Sequence, residues 1–199
     1  MQKMITVLLF VAYAQMSLYG NSKDYNNSLH LYSVQGADVD LDHIAPNFIN
    51  DRLIMEDAYL NALSYMRVLT GKGSRFKMGF ETVIGEHSGL QDHIEIAIAW
   101  VFKYTDIFPD NFWVNSDVAI GNGFSYAFGV PTYEDTTAKE PNRYYQFQNF
   151  LLVDVDFYLK ERENIHFTLR LHHRSGHYDL FAPPGVGSNF LGYGLKFMF

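Results

Sequence analysis

An all-β chain that closes into an eight-stranded antiparallel transmembrane barrel of the outer-membrane type is the fold predicted here, on three observations. Beyond residue 25 the apolar residues recur with a period of two rather than 3.6, the signature of strands. Eight such runs can be counted, near 27–36, 57–70, 74–87, 92–104, 111–128, 145–160, 164–176 and 189–199. The connectors between them alternate in length, as in a barrel with short turns on one side of a membrane and long loops on the other. Aromatic residues make up 17% of the 199, mostly Phe and Tyr, which suits strands with aromatic girdles better than a helical bundle.

The chain begins "MQKMITVLLFVAYAQMSLYG", with one Lys, an apolar run from Met4 to Ala14, small residues, and then the polar "NSKDYNN". That is the layout of a secretory signal peptide, with cleavage expected near Gly20. The apolar run falls short of the roughly 20 residues a spanning helix needs. Residues 1–20 are therefore read as a leader and 21–199 as one barrel domain. The sequence has no cysteine, which removes disulfides and zinc–thiolate sites. A net charge of −7 argues against a nucleic-acid partner held through phosphates.

The central strands show the alternation most clearly. Phe76, Met78, Phe80, Thr82 and Ile84 alternate with Arg75, Lys77, Gly79, Glu81 and Val83. Ile94, Ile96, Ile98, Trp100 and Phe102 alternate with His93, Glu95, Ala97, Ala99 and Val101. In the sixth run Phe147, Asn149, Leu151, Val153, Val155 and Phe157 share one face, with Gln148, Phe150, Leu152, Asp154 and Asp156 on the other. The connectors 70–73, 105–110 and 161–163 are short, and 37–56, 129–144 and 177–188 are long; 88–91 is the exception.

A soluble barrel with its apolar face inward has the same alternation. The chain end separates the two. "GYGLKFMF" puts Leu191, Tyr193, Leu195, Phe197 and Phe199 on one face and ends on Phe. Gly194, Phe197 and Phe199 resemble the C-terminal assembly signal of outer-membrane barrels. That resemblance implies residence in the bacterial outer membrane and recognition by the barrel-assembly machinery.

With the apolar face outward, Arg75, Lys77, Glu81, His93, Glu95, Asp117, Asp154, Asp156, His166, Arg170 and His172 are expected in the interior. Eight strands leave only enough width for side chains to fill, so these charges must pair with one another and no open pore results. No cofactor or metal is expected; a metal held by Glu81, His93 and Glu95 is the sharper alternative, with undistinctive spacing. His87 and Ser88 read as a tight turn, and 134–141 as a solvated acidic loop. Arg174 and Lys196 read as inward-facing barrel residues.

The stretch "LHHRSGHYDLF" breaks the pattern. His173 and Ser175 lie two apart, on the same face as Phe167, Leu169 and Leu171. That face meets lipid, and the strand end that carries the pair lies near the outer leaflet. Serine is a weak nucleophile until a base within hydrogen-bond reach takes its proton, and histidine titrates near neutral pH. The pair thus has the makings of an esterase for an amphiphile already lying against the barrel wall.

"HRS", its strand–loop–strand setting, the chain length and the terminal Phe resemble the outer-membrane lipid A 3-O-deacylase family, eight-stranded barrels with a lipid-facing His-x-Ser dyad. The resemblance implies Ser175 as nucleophile, His173 as general base, a lipid A acyl ester as substrate, and oxyanion donors around Ser175 and Gly176. Two positions depart from the family pattern. Gly176 stands where the family has Asn, and Gly187 stands at the spacing where it has an orienting Glu. Asn189 is the best substitute orienter, as in outer-membrane phospholipase A, whose third member is an Asn; Asp179 is a second candidate. A non-enzymatic barrel acting through its loops in adhesion or envelope integrity is the alternative.

Overall fold

The computed structural model describes residues 25–71, 73–108, 112–134, 144–176, 180–183 and 185–199. The leader read at 1–20 and the candidate Asp179 lie outside these residues. Eight strands form: β1 (Asn27–Ala37), β2 (Met55–Thr70), β3 (Phe76–Gly89), β4 (Ile94–Tyr104), β5 (Val114–Phe128), β6 (Phe147–Leu159), β7 (Ile165–Ser175) and β8 (Gly187–Met198). Each pairs antiparallel with the next, and β1 pairs with β8, with Leu29 opposite Phe197 and Val34 opposite Gly192. Closure leaves no strand edge unpaired, which in a bilayer is obligatory. A short helix α1 (Ile44–Ile49) sits in the first long connection.

The two faces separate as the period-two pattern requires. Ile84, Ile96, Ile98, Ile120, Leu169 and Leu195 are exposed on the outer face. Aromatic residues flank this aliphatic band: Phe102, Tyr104, Phe112 and Trp113 toward the short turns, and Tyr59, Tyr126, Phe128 and Phe147 toward the long connections. No helix among the described residues is long and apolar enough to cross a membrane. An apolar belt around a closed sheet with aromatic girdles is the surface of a barrel that spans a bilayer with its strands. The end bearing the long connections is called the outer end below.

The interior is filled by side chains in layers. Arg170 lies at its centre, with Nη1 and Nη2 on Glu81 (2.7 and 3.1 Å) and Nε and Nη2 on Asp154 (2.7 Å each). The guanidinium also lies over the Tyr32 ring, 4.5 Å from its centroid. Lys196 bonds Asp154 and Asp156, and Lys103 bonds Asp117 and Asp156. Every one of these groups is buried, so each charge leaves water and needs its partner. Val83, Ala97, Ala99, Val101, Leu60 and Leu152 pack between the polar layers.

Several expectations need correction. Arg75 precedes β3 and is exposed, and Lys77 is half-buried; with Lys103 and Asp117 both line a cavity of about 490 Å³ at the inner mouth. His87 and Ser88 lie within β3, because the strand runs to Gly89, and His87 is wholly buried in the lumen. Glu134 is not solvated either. It lies in a 3₁₀ turn, folds into the lumen and is only 1% exposed.

Removing Arg170 strands two buried carboxylates. The Arg170→Met variant is expected to lose about 3–5 kcal/mol of stability, read as a lower urea midpoint for the heat-modifiable folded band on a gel. Adding Glu81→Gln and Asp154→Asn should recover most of the loss. An unchanged midpoint in Arg170→Met would contradict the network.

Candidate active site

Strand parity builds the site at the outer end of β7. His173 and Ser175 face the lipid side, while Arg174 between them points into the lumen and is wholly buried. Its Nε donates to Ser125 Oγ (2.9 Å), Nη1 to Glu134 Oε1 (2.8 Å) and Nη2 to the Gln146 carbonyl (2.9 Å). Glu134 also accepts from Ser188 Oγ at 2.9 Å and from Gln148 Nε2 at 2.6 Å. Burial pushes the Glu134 carboxyl up, and Arg174 beside it pulls the other way. Arg174 thereby ties β7 to β5 and to both ends of the 129–146 connection, and fixes the backbone that carries its two neighbours.

His173 sits directly across from Asn189 of β8, and its Nδ1 lies 2.7 Å from Asn189 Oδ1. Asn189 Nδ2 donates to the Val39 carbonyl at 2.7 Å. A carbonyl accepts only, so the nitrogen end of the amide must face Val39 and the oxygen end must face the ring. Nδ1 therefore carries the proton and donates it, which leaves Nε2 with its lone pair free to act as a base.

Ser175 lies across from Asn149 of β6 and Gly187 of β8. Among the described residues its hydroxyl has no hydrogen-bond partner, His173 included. Gly176, expected to be an oxyanion donor, is already committed: its N–H goes to the Val186 carbonyl at 3.2 Å, and its carbonyl accepts from Phe181 and Ala182. A Cβ at position 176 would collide with the Ala182 carbonyl, which explains why glycine stands there. Gly187 has φ +155° and a Cβ there would meet the Arg174 carbonyl, so it cannot be the position of a missing orienting acid.

Two residues of the site were not singled out in the sequence. Asn122 and Asn149 lie in outward-facing rows of β5 and β6 and bond each other, Asn122 Nδ2 to Asn149 Oδ1 at 3.1 Å and Asn149 Nδ2 to Asn122 Oδ1 at 3.3 Å. Asn149 Nδ2 also donates to the Gly123 carbonyl at 2.9 Å. Their signal was an amide breaking an apolar alternation, in "AIGNGFS" and "FQNFLLV". With His173, Ser175 and Asn189 they make a polar notch across four strands of the lipid-facing wall.

The notch opens into a groove of about 1160 Å³, lined by residues 37–43, 183 and 185–189 among others. Leu151 gives it an apolar patch, and Asp38, Asp40, Asp42 and Glu56 give it carboxylates. Burial, then Glu56 and Asp38, push the Tyr133 hydroxyl up to about 12, so it faces the groove as a neutral donor.

Fold and site together define a membrane-spanning eight-stranded barrel of the bacterial outer-membrane class, with a polar notch on its lipid face. No protein-family model and no curated protein sequence matches the chain. Solved structures do. The outer membrane enzyme PagL is 12% identical over 85% of this chain and 98% of its own, with a TM-score of 0.53. Neisserial surface protein A is 10% identical over 91% and 100%, with a TM-score of 0.49. The attachment invasion locus protein Ail of Yersinia pestis is 11% identical over 88% and 99%, with a TM-score of 0.41. At these identities the likeness is one of fold.

Substituting Gly187→Glu installs an acid at the family spacing but forces a side chain into a strained backbone, at a cost on the order of 1–3 kcal/mol. The expected result is a lower yield of heat-modifiable folded barrel and no gain in lipid hydrolysis. A well-folded and more active Gly187→Glu would overturn the geometry given for this loop.

Proposed function

We propose that the protein is an outer-membrane serine esterase that cleaves an ester-linked acyl chain of an outer-leaflet lipid, in the manner of a lipid A deacylase. The observation that carries the reading is the relay from the Val39 carbonyl through the Asn189 amide to His173 Nδ1, which presents Nε2 as a base on a lipid-facing wall.

In the proposed cycle a small rotation of the Ser175 side chain brings Oγ to His173 Nε2. Oγ attacks the ester carbonyl carbon as Nε2 takes its proton, and the carbonyl π electrons move onto oxygen. The imidazolium is stabilised by Asn189 Oδ1. It returns the proton to the leaving alcohol as the carbon–oxygen bond breaks, leaving Ser175 acylated. A water, deprotonated by the same Nε2, releases the fatty acid. Asn122 Nδ2, which gives only one of its two N–H groups to Asn149, serves as the polar support for the oxyanion, since the Gly176 N–H and both N–H groups of Asn149 Nδ2 are already donated. The groove holds the headgroup while the acyl chains remain against Leu151 and the adjoining apolar wall.

The second reading is a barrel without catalysis, acting through its outer connections in adhesion or envelope integrity. The committed Gly176 amide and the unmade Ser175–His173 bond favour it.

Refolded protein incubated with mixed micelles of lipid A and phospholipid, followed by mass spectrometry of the lipids, separates the readings. Wild type should release one acyl chain and Ser175→Ala none. Asn189→Leu is expected to lower the rate by about two orders of magnitude or more, because the ring loses its tautomer control. Asn122→Leu is expected to lower it by about 10²–10³-fold. The acyl mass lost, and the lipid that loses it, identify the substrate. Lipids untouched by a demonstrably folded wild-type barrel would reject the esterase reading.

A further inference from the structure

Above the Arg170 layer the lumen contains a second cluster that the esterase reading does not use. His87 of β3 bonds Glu95 of β4, Nε2 to Oε2 at 2.8 Å, and Gln91 Nε2 lies 2.8 Å from His87 Nδ1. His93, in the turn between the two strands, stacks on His87 with centroids 4.3 Å apart. Its exposure is 5%, yet neither ring nitrogen has a hydrogen-bond partner, and the Gln91 side-chain oxygen is also buried and unpartnered. Leaving three polar atoms of one cluster buried without partners forfeits hydrogen bonds that water would otherwise supply. Elsewhere in this lumen Arg170, Lys196, Asp154 and Asp156 are paired. Of the other described residues with unpartnered buried atoms, His30, Ser64, Gln148 and His166, only His166 stands in a group of possible ligands, whose carboxylates Asp117 and Asp156 are held by Lys103. The cluster lacks something that accepts lone pairs.

From this we infer that the outer end of the lumen binds one divalent transition-metal ion, of the zinc class, through His87 Nε2, His93 and Glu95. One ligand atom from each already lies within 4.8 Å of the others. A zinc ion with bonds of about 2.0–2.2 Å draws such atoms to within about 3.5 Å, so His93 must tip out of its stack. That movement breaks no hydrogen bond of His93. Two imidazoles and one carboxylate select zinc-like ions over magnesium or calcium, which prefer all-oxygen shells.

Gln91 makes the change of state feasible. Without metal, His87 donates Nε2–H to Glu95 and accepts from Gln91 at Nδ1. With metal on Nε2, the proton moves to Nδ1, and Gln91 turns its amide so that the now unpartnered oxygen accepts it. This is the outer-shell hydrogen bond that metal-bound histidines ordinarily make. Glu95 keeps its second oxygen for His172 Nε2, at 3.2 Å, on the strand that carries His173. The ion would staple the β3–β4 turn to β7 at the level of the notch.

Glu81, part of the metal set considered from the sequence, is excluded. Both its oxygens are bound to Arg170, one layer below.

The test uses the refolded full-length barrel in detergent, titrated with Zn²⁺ by calorimetry and with Co²⁺ by visible absorption. One equivalent should bind, with intense d–d bands for Co²⁺, and the gel-shift unfolding temperature should rise. His93→Phe keeps the ring stack and removes only unpartnered nitrogens, so it should fold like wild type and lose the binding. Gln91→Leu should weaken it about 10–100-fold. His43→Ala, on the exposed first loop, and His173→Ala should leave it intact. Uptake by wild type no greater than by His93→Phe, or binding lost in His173→Ala instead, would overturn the proposal and leave water as the partner of these atoms.

Discussion

Arg174 is the residue on which the outer end of this molecule depends. Strand parity points its guanidinium into the lumen, where it is wholly buried, and its donors are met by protein groups. Ser125, Glu134 and the Gln146 carbonyl meet them, which brings Glu134 and Gln146, on either side of the connection between β5 and β6, to the same guanidinium. The same parity turns His173 and Ser175 outward. One buried charge thus fixes the backbone of a dyad that the charge itself never touches. A buried hydrogen-bond network rather than a packed apolar core does this here.

The site is also preorganised unequally. The His173 ring is fully oriented, because an amide clamped between a carbonyl and a ring can face only one way. Ser175 is less constrained. Its hydroxyl has no partner among the described residues, and the neighbouring Gly176 amide is donated to the Val186 carbonyl. The arrangement suits a site completed by its substrate. In the esterase reading proposed above, an acyl carbonyl entering from the bilayer would bring the charge that the free N–H of Asn122 could meet, and its bulk would hold Ser175 against the ring.

Much of the fold was legible in the sequence because period-two alternation reports burial residue by residue. The eight runs and their faces agree with the strands to within a few residues, and the lumen charges from Glu81 to His172 face inward as read. The misreadings have physical causes. Glu134 looked solvated because it sits among acidic and polar neighbours, and the distant Arg174, with Ser188 and Gln148, makes its burial tolerable. His87 looked like a turn residue because Gly85 and Gly89 flank it, yet strand pairing with β2 carries the ladder through both. Gly176 looked like an oxyanion donor because its amide follows the serine, but the folded-back loop takes that amide, a contact no local pattern reveals. Asn122 and Asn149 were visible as letters and unremarkable alone. They acquire meaning only when the barrel sets them beside Ser175.

The central claim is that Ser175 is a nucleophile made reactive by His173. Intact-protein mass spectrometry after treating the folded barrel with a serine-directed fluorophosphonate tests it without knowing the lipid. The account predicts a single adduct, mapped to Ser175 and abolished in His173→Ala while that variant remains heat-modifiable. An unmodified wild-type barrel, or an adduct that persists without His173, would contradict it.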